Sequence, residues 1–173
     1  KFQVYKDFRD KFETDNDFIV VALENEQGIF QKDFLLRADS LSEELKKLPN
    51  VEEVISPTQI KEPIKTAFGF IQAPLMRIDN PEVYSYDSLK IFERPELVGS
   101  LFSKNGKAIM LQVIHTKFLS KQLCDSLSYD VTDLIAEYSF NESHAVGRAI
   151  GQVYYIGLMQ RETITFVVLS VIL

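Results

Sequence analysis

Two segments of this chain share one rhythm. Phe34, Ala38, Leu41, Leu45 and Leu48 recur at spacings of four, three, four and three, and Leu119, Leu123, Leu127, Val131, Leu134 and Tyr138 at four, four, four, three and four. Such spacing lays an apolar stripe along one face of an α-helix. Short runs rich in β-branched residues flank each segment. "DFIVVALEN" (17–25) and "VEEVISP" (51–57) bracket the first; "LVGSLFSKNGKAIMLQVIH" (97–115) and "HAVG" (144–147) bracket the second. The order is β-α-β followed by β-α-β. It predicts an α+β fold of the ferredoxin-like, split β-α-β (βαββαβ) kind: one antiparallel sheet with both long helices on one face.

In detail, strands are expected at 17–24, 51–56, 98–103, 107–115 and near 143–147, and helices at 33–48 and 118–138. The first strand carries apolar residues at consecutive positions and reads as buried on both faces. Asn105-Gly106 predicts a tight type I′ hairpin, because both central residues of that turn need positive φ. Residues 58–96 read as an insertion between the two halves. Within it "TAFGFIQAPLM" (66–76) is apolar but broken by Gly69 and Pro74, and "NPEVYSYDSLKIFERP" (80–95) reads as one short helix between prolines. Phe2, Tyr5, Phe8 and Phe12 form a helical face, so 1–16 reads as a lead-in helix, 17–147 as the folded domain, and 148–173 as a further helix. From Ile164 to Leu173 there is no charge, with only Thr165 and Ser170 between apolar residues. That tail reads either as the start of a membrane helix or as a buried C-terminal strand. The chain opens on Lys1 rather than Met and stops inside an apolar run, which is expected of a piece of a longer protein.

The formal net charge of -6 argues against a nucleic-acid partner, since phosphate binding needs a basic surface. One cysteine, Cys124, excludes an internal disulfide and a multi-cysteine metal site. It lies beside Leu123, taken as core-facing, with no base nearby to activate it. His115 and His144 have no second His or Cys at ligand spacing; Glu142, two residues before His144, is a weak signal. "ETDND" (13–17) fails as a calcium loop, because counted from Asp15 the sixth position is Val20, where Gly is needed. "ENEQG" (24–28), the loop after the first strand, would repel an anion. Catalytic, cofactor and metal sites are therefore all expected to be absent. The aromatic and apolar residues Phe68, Phe70, Ile71 and Met76 are the candidate substrate- or partner-facing patch.

Several of these segments stand in a familiar order. "VVAL" (20–23), "IF" (29–30), a Leu-rich helix and "LPNVEEVISP" (48–57), then "LVGSLFSKNGKAIMLQV" (97–113) and "HAVG", together resemble the first large extracytoplasmic loop of resistance-nodulation-division (RND) superfamily transporters, in particular the MMPL-type exporters. The resemblance implies a periplasmic porter domain of a proton-driven exporter of lipids or other hydrophobic molecules, held at the inner (cytoplasmic) membrane. Its partners would be the membrane helices and second porter loop of the same exporter, and the membrane itself. The proton-carrying groups would lie in those membrane helices, outside this chain. Residues 148–173 would lead into a membrane span, and the isolated chain would self-associate through 162–173. The other expectation is a ligand-sensing extracytoplasmic domain of a membrane receptor.

Overall fold

A computed structural model describes residues 17–66 and 69–172. The lead-in helix expected over 1–16 lies outside the described residues. The elements run β1 (Phe18–Glu24), α1 (Lys32–Leu45), β2 (Val51–Ile55), β3 (Lys61–Thr66), β4 (Gly69–Pro74), a short 3₁₀ turn (Pro81–Val83), α2 (Tyr84–Phe92), β5 (Ala108–His115), α3 (Lys121–Glu137), β6 (Glu142–Gly147) and α4 (Arg148–Ile172). Four strands form one sheet in the order β2-β5-β1-β6, and each neighbouring pair is antiparallel. This α+β architecture is compatible with a ferredoxin-like arrangement. β3 and β4 pair only with each other, as a separate two-stranded hairpin.

The sheet has two unlike faces. On β1, Ile19, Val21 and Leu23 are fully buried, while Phe18, Val20, Ala22 and Glu24 between them are only half-buried. β5 repeats the alternation, with Ile109, Leu111 and Val113 buried and Met110, Gln112 and Ile114 half-buried. The first strand is therefore not buried on both faces. Helices cover one face, and the other carries no layer among the described residues. α1 buries Phe34, Leu35, Ala38, Leu41 and Leu45, and α3 buries Cys124, Leu127, Val131 and Ile135, all in one core cluster with the sheet. Each of these large side chains contributes about 1.5–3 kcal/mol on burial. The expected stripe on α3 holds at Leu127 and Val131, with Leu119, Leu134 and Tyr138 packed against the core; at Leu123 it does not, since that residue is exposed and Cys124 faces inward instead.

Polar contacts fix the helix ends. The Ser120 hydroxyl accepts from the N–H of Leu123 and caps α3 at its start. At its end, Arg37 of α1 donates to the carbonyls of Tyr138 and Ser139, at 3.1 and 3.0 Å, satisfying groups the helix leaves unpaired. Phe34 meets Phe140 edge-on at 5.6 Å beside them.

The Asn105-Gly106 turn differs from its expected form. Only Gly106 has positive φ (67°), so the turn is not type I′. The loop spans Lys104–Lys107. The N–H of Ser103 donates to Ala108 C=O, and its hydroxyl accepts from the N–H groups of Lys107 and Ala108. That side-chain cap stabilises a wider turn than two residues. Residues 98–103 then form isolated bridges, Val98 with Phe102 and Phe102 with Ile109, rather than a strand. Phe102 is drawn into the core instead.

Candidate functional site

The β3–β4 hairpin, which the sequence left as irregular, is the most exposed apolar structure of the α+β body. Ile64 pairs with Ile71 across its ladder, and Lys65 with Phe70. Side chains alternate, so Ile64 and Ile71 share one face and Phe70 lies on the other with Lys65. Phe70 is 75% exposed and Ile71 54%; Ile64 is also exposed. Phe68 lies outside the described residues. Met76 does not belong to the patch: it is 2% exposed and sits with Leu75 in the core. Pro74 ends β4, and the two residues after it anchor the hairpin's base.

Charge holds the hairpin in place. Glu62 on β3 pairs with Lys90 (2.6 Å) and Arg94 at the end of α2. Burial pushes the Glu62 carboxyl up, but the hydrogen bonds and charges of Lys90 and Arg94 outweigh it, so the group sits below its ordinary range. A second anchor joins Arg77 to buried Asp87, which also accepts the Arg77 backbone N–H at 2.9 Å. Tyr84 donates its hydroxyl to Ile78 C=O. The insertion thus forms a hairpin and a short helix latched to the core, with Phe70 and Ile71 of β4 facing solvent.

α4 is the second exposed apolar feature. Gly147 roots it: a Cβ there would lie 2.6 Å from the Phe18 carbonyl oxygen, so only glycine lets β6 close on β1. Arg148 then pairs with Asp17, and Ala149 is buried. Gly151 has open space around it, so it marks no close backbone approach of another helix among the described residues. Beyond this root, Ile164, Phe166, Val167, Val168, Leu169 and Val171 are all exposed. Their directions spread around the whole helix rather than along a stripe. Residues 162–172 are helical, which rules out the buried-strand form of the tail. Among the described residues, no helix is long and apolar enough to cross a membrane.

The other candidates for chemistry are dispersed. Cys124 is fully buried, and burial raises its thiol pKa, the reverse of what a nucleophile needs. His115 is buried at the end of β5, its Nδ1 3.0 Å from the Thr116 carbonyl oxygen. A polar cleft of about 490 Å³ lies between the β1–α1 loop and the Lys104–Lys107 turn; Lys104 is its one charged lining residue. His144 is exposed on β6, and the fold brings Glu24 of β1 beside it and Glu142. Sequence reasoning could pair Glu142 with His144 but had no signal for Glu24, which lies 118 positions before Glu142. Compared with protein-family models and with curated proteins, the chain matches none.

Proposed function

We propose that this chain is the extracytoplasmic porter domain of an RND-superfamily, MMPL-type exporter of lipids or other hydrophobic molecules. The observation that carries this reading is α4. Its last ten described residues, 163–172, carry no charge and expose large apolar side chains around the helix, and a helix apolar all round is normally found buried in protein or lipid. Residues 163–172 as a helix reach about 15 Å, half of a hydrocarbon core about 30 Å thick. The α+β body has its own core and its insertion is latched to it, so α4 is its natural tether to a membrane. The order of motifs quoted above and a sheet order compatible with the ferredoxin-like arrangement support the same reading. In this scheme the domain does no chemistry. It offers the β3–β4 hairpin as an apolar contact for substrate or for a second porter loop, while membrane helices elsewhere in the exporter carry the protons.

The polar cleft beside Lys104 favours one other reading, a ligand-sensing extracytoplasmic domain of a membrane receptor. One experiment separates them, using the whole protein in its native membrane. Lys104→Cys is labelled with a membrane-impermeant maleimide, and efflux of a fluorescent lipid is followed with and without Phe70→Asp. The porter reading expects labelling from outside the inner membrane and efflux that falls several-fold in Phe70→Asp at unchanged protein level. Labelling only from the cytoplasm would sink both readings. Outside labelling without any dependence of efflux on the protein would remove the porter reading and leave the receptor.

A further inference from the structure

We propose that Glu24, Glu142 and His144 form a site for a divalent first-row transition metal, zinc foremost, on the uncovered face of the sheet. The ladder itself sets the geometry. In the antiparallel β1–β6 pair, Glu24 lies opposite Glu142, and Ala22 lies opposite His144. Directly opposed residues point to the same face, and so do residues two apart on one strand. Two carboxylates and an imidazole therefore rise together from three of four adjoining positions, and the fourth, Ala22, is small enough not to intrude. One ligand atom from each of the three lies within 4.8 Å of the others.

Two further observations point to a cation. Like charges directly opposed across a ladder are destabilising, yet among the described residues neither Glu24 nor Glu142 is ion-paired with a Lys or Arg. The His144 Nε2 also lies 3.6 Å from Glu142 Oε2, too far for a hydrogen bond. Two donors on one tetrahedral metal with bonds of about 2.0–2.1 Å stand about 3.3 Å apart. A small rotation of either side chain would place both on one ion.

The donor set selects the class of metal. Calcium and magnesium prefer all-oxygen shells, whereas an imidazole with carboxylates suits zinc and its neighbours. Three protein ligands leave a position for water. Glu142 and His144 are each 68% exposed, so water competes for the ligands and the site binds more weakly than a buried one. Its structural effect falls on β6, the edge strand from which α4 continues without a break. A bound ion would tie the start of β6 to β1.

The test is a zinc titration of chelator-treated protein, followed by calorimetry and by the imidazole ¹H–¹⁵N NMR spectrum. The chain has two histidines, and His115 is fully buried, so the two signals are separable. The expected result is one zinc per chain, a shift of the His144 signals with His115 unmoved, and at least tenfold weaker binding in Glu24→Gln. That variant removes one of two opposed charges, so it should melt at or above the unaltered protein without metal, which controls for folding. Absence of saturable binding at millimolar zinc would overturn the proposal. So would unchanged affinity in Glu24→Gln, which marks a lone surface histidine, or calcium binding as tight as zinc, which marks a diffuse acidic patch.

Discussion

α3 and α4 are both rich in large apolar residues, and they dispose of them in opposite ways. α3 keeps Cys124, Leu127, Val131 and Ile135 at 0–5% exposure, along a stripe bounded by charged and hydroxyl residues. α4 leaves its apolar residues from Ile164 to Val171 at 51–81% exposure. The difference lies in spacing rather than content. A stripe can be satisfied by one sheet face; an apolar surface that runs all round a helix cannot, because a single packing partner reaches only one side of it. α3 belongs to the domain, whereas α4 beyond its root needs an environment that this domain does not supply.

The sharpest way to break that contrast is to make the same cut in both helices. Leu127→Ala should cost about 2–5 kcal/mol in urea unfolding, since it opens a cavity in the core. Leu169→Ala should change stability by less than about 0.5 kcal/mol, as exposed positions do. Equal losses would mean that α4 packs on the domain in solution and that its exposure is not real.

Charge fixes the hairpin where apolar packing fixes α3, and pH distinguishes the two. The Glu62 carboxyl titrates below its ordinary range in the folded chain because Lys90 and Arg94 outweigh the effect of burial. A depressed folded pKa adds stability that is fully present well above the unfolded value of about 4.3, and that is lost as pH falls through the folded value. Glu62→Gln should therefore be less stable than the unaltered protein by about 1 kcal/mol at pH 7, a typical net worth for a partly screened pair. The gap should close as pH falls through the range in which folded Glu62 takes up its proton. Leu127→Ala involves no titrating group, so its loss should be constant across the same range. A Glu62→Gln deficit that persists once Glu62 is protonated would show that the hairpin depends on packing instead.

The parts of this fold that the sequence announces are those where one physical signal dominates. The stripes of α1 and α3 and the β-branched runs of β1, β2 and β5 give element type and order, because periodicity reports which face is buried. Other features were decided by contacts between residues distant in sequence. The half-open state of the sheet depends on what covers Val20 and Met110, not on those residues themselves. β3 and β4 were hidden because Gly69 and Pro74 read as breakers, whereas Gly69 sits at the start of β4 with positive φ and Pro74 closes it. Met76 was placed outside because hydrophobicity alone does not tell an exposed patch from the core two residues beyond a proline. Of the proposed metal site only Glu142 and His144 were legible. Glu24 joins them through the β1–β6 register, which no local pattern encodes.

The smallest expected effect concerns the tail of α4. Removing residues 162–173 deletes, among the described residues, six large apolar side chains that are exposed to solvent, together with helix hydrogen bonds internal to α4. Little of that contributes to the folded domain, so the melting temperature should move by no more than a few degrees, where about 1 kcal/mol corresponds to 2–4 °C in a chain of this size. Self-association and flotation with lipid vesicles should both fall, because each exposed side chain gains about 1.5–3 kcal/mol when it finds apolar surroundings. Cutting before Arg148 supplies the internal control. That truncation also removes Ala149 from the core and breaks the Arg148–Asp17 ion pair, so it should cost clearly more than the first cut. A large loss at the first cut, or none at the second, would reverse the contrast between root and tail, and with it the physical case for placing α4 at a membrane.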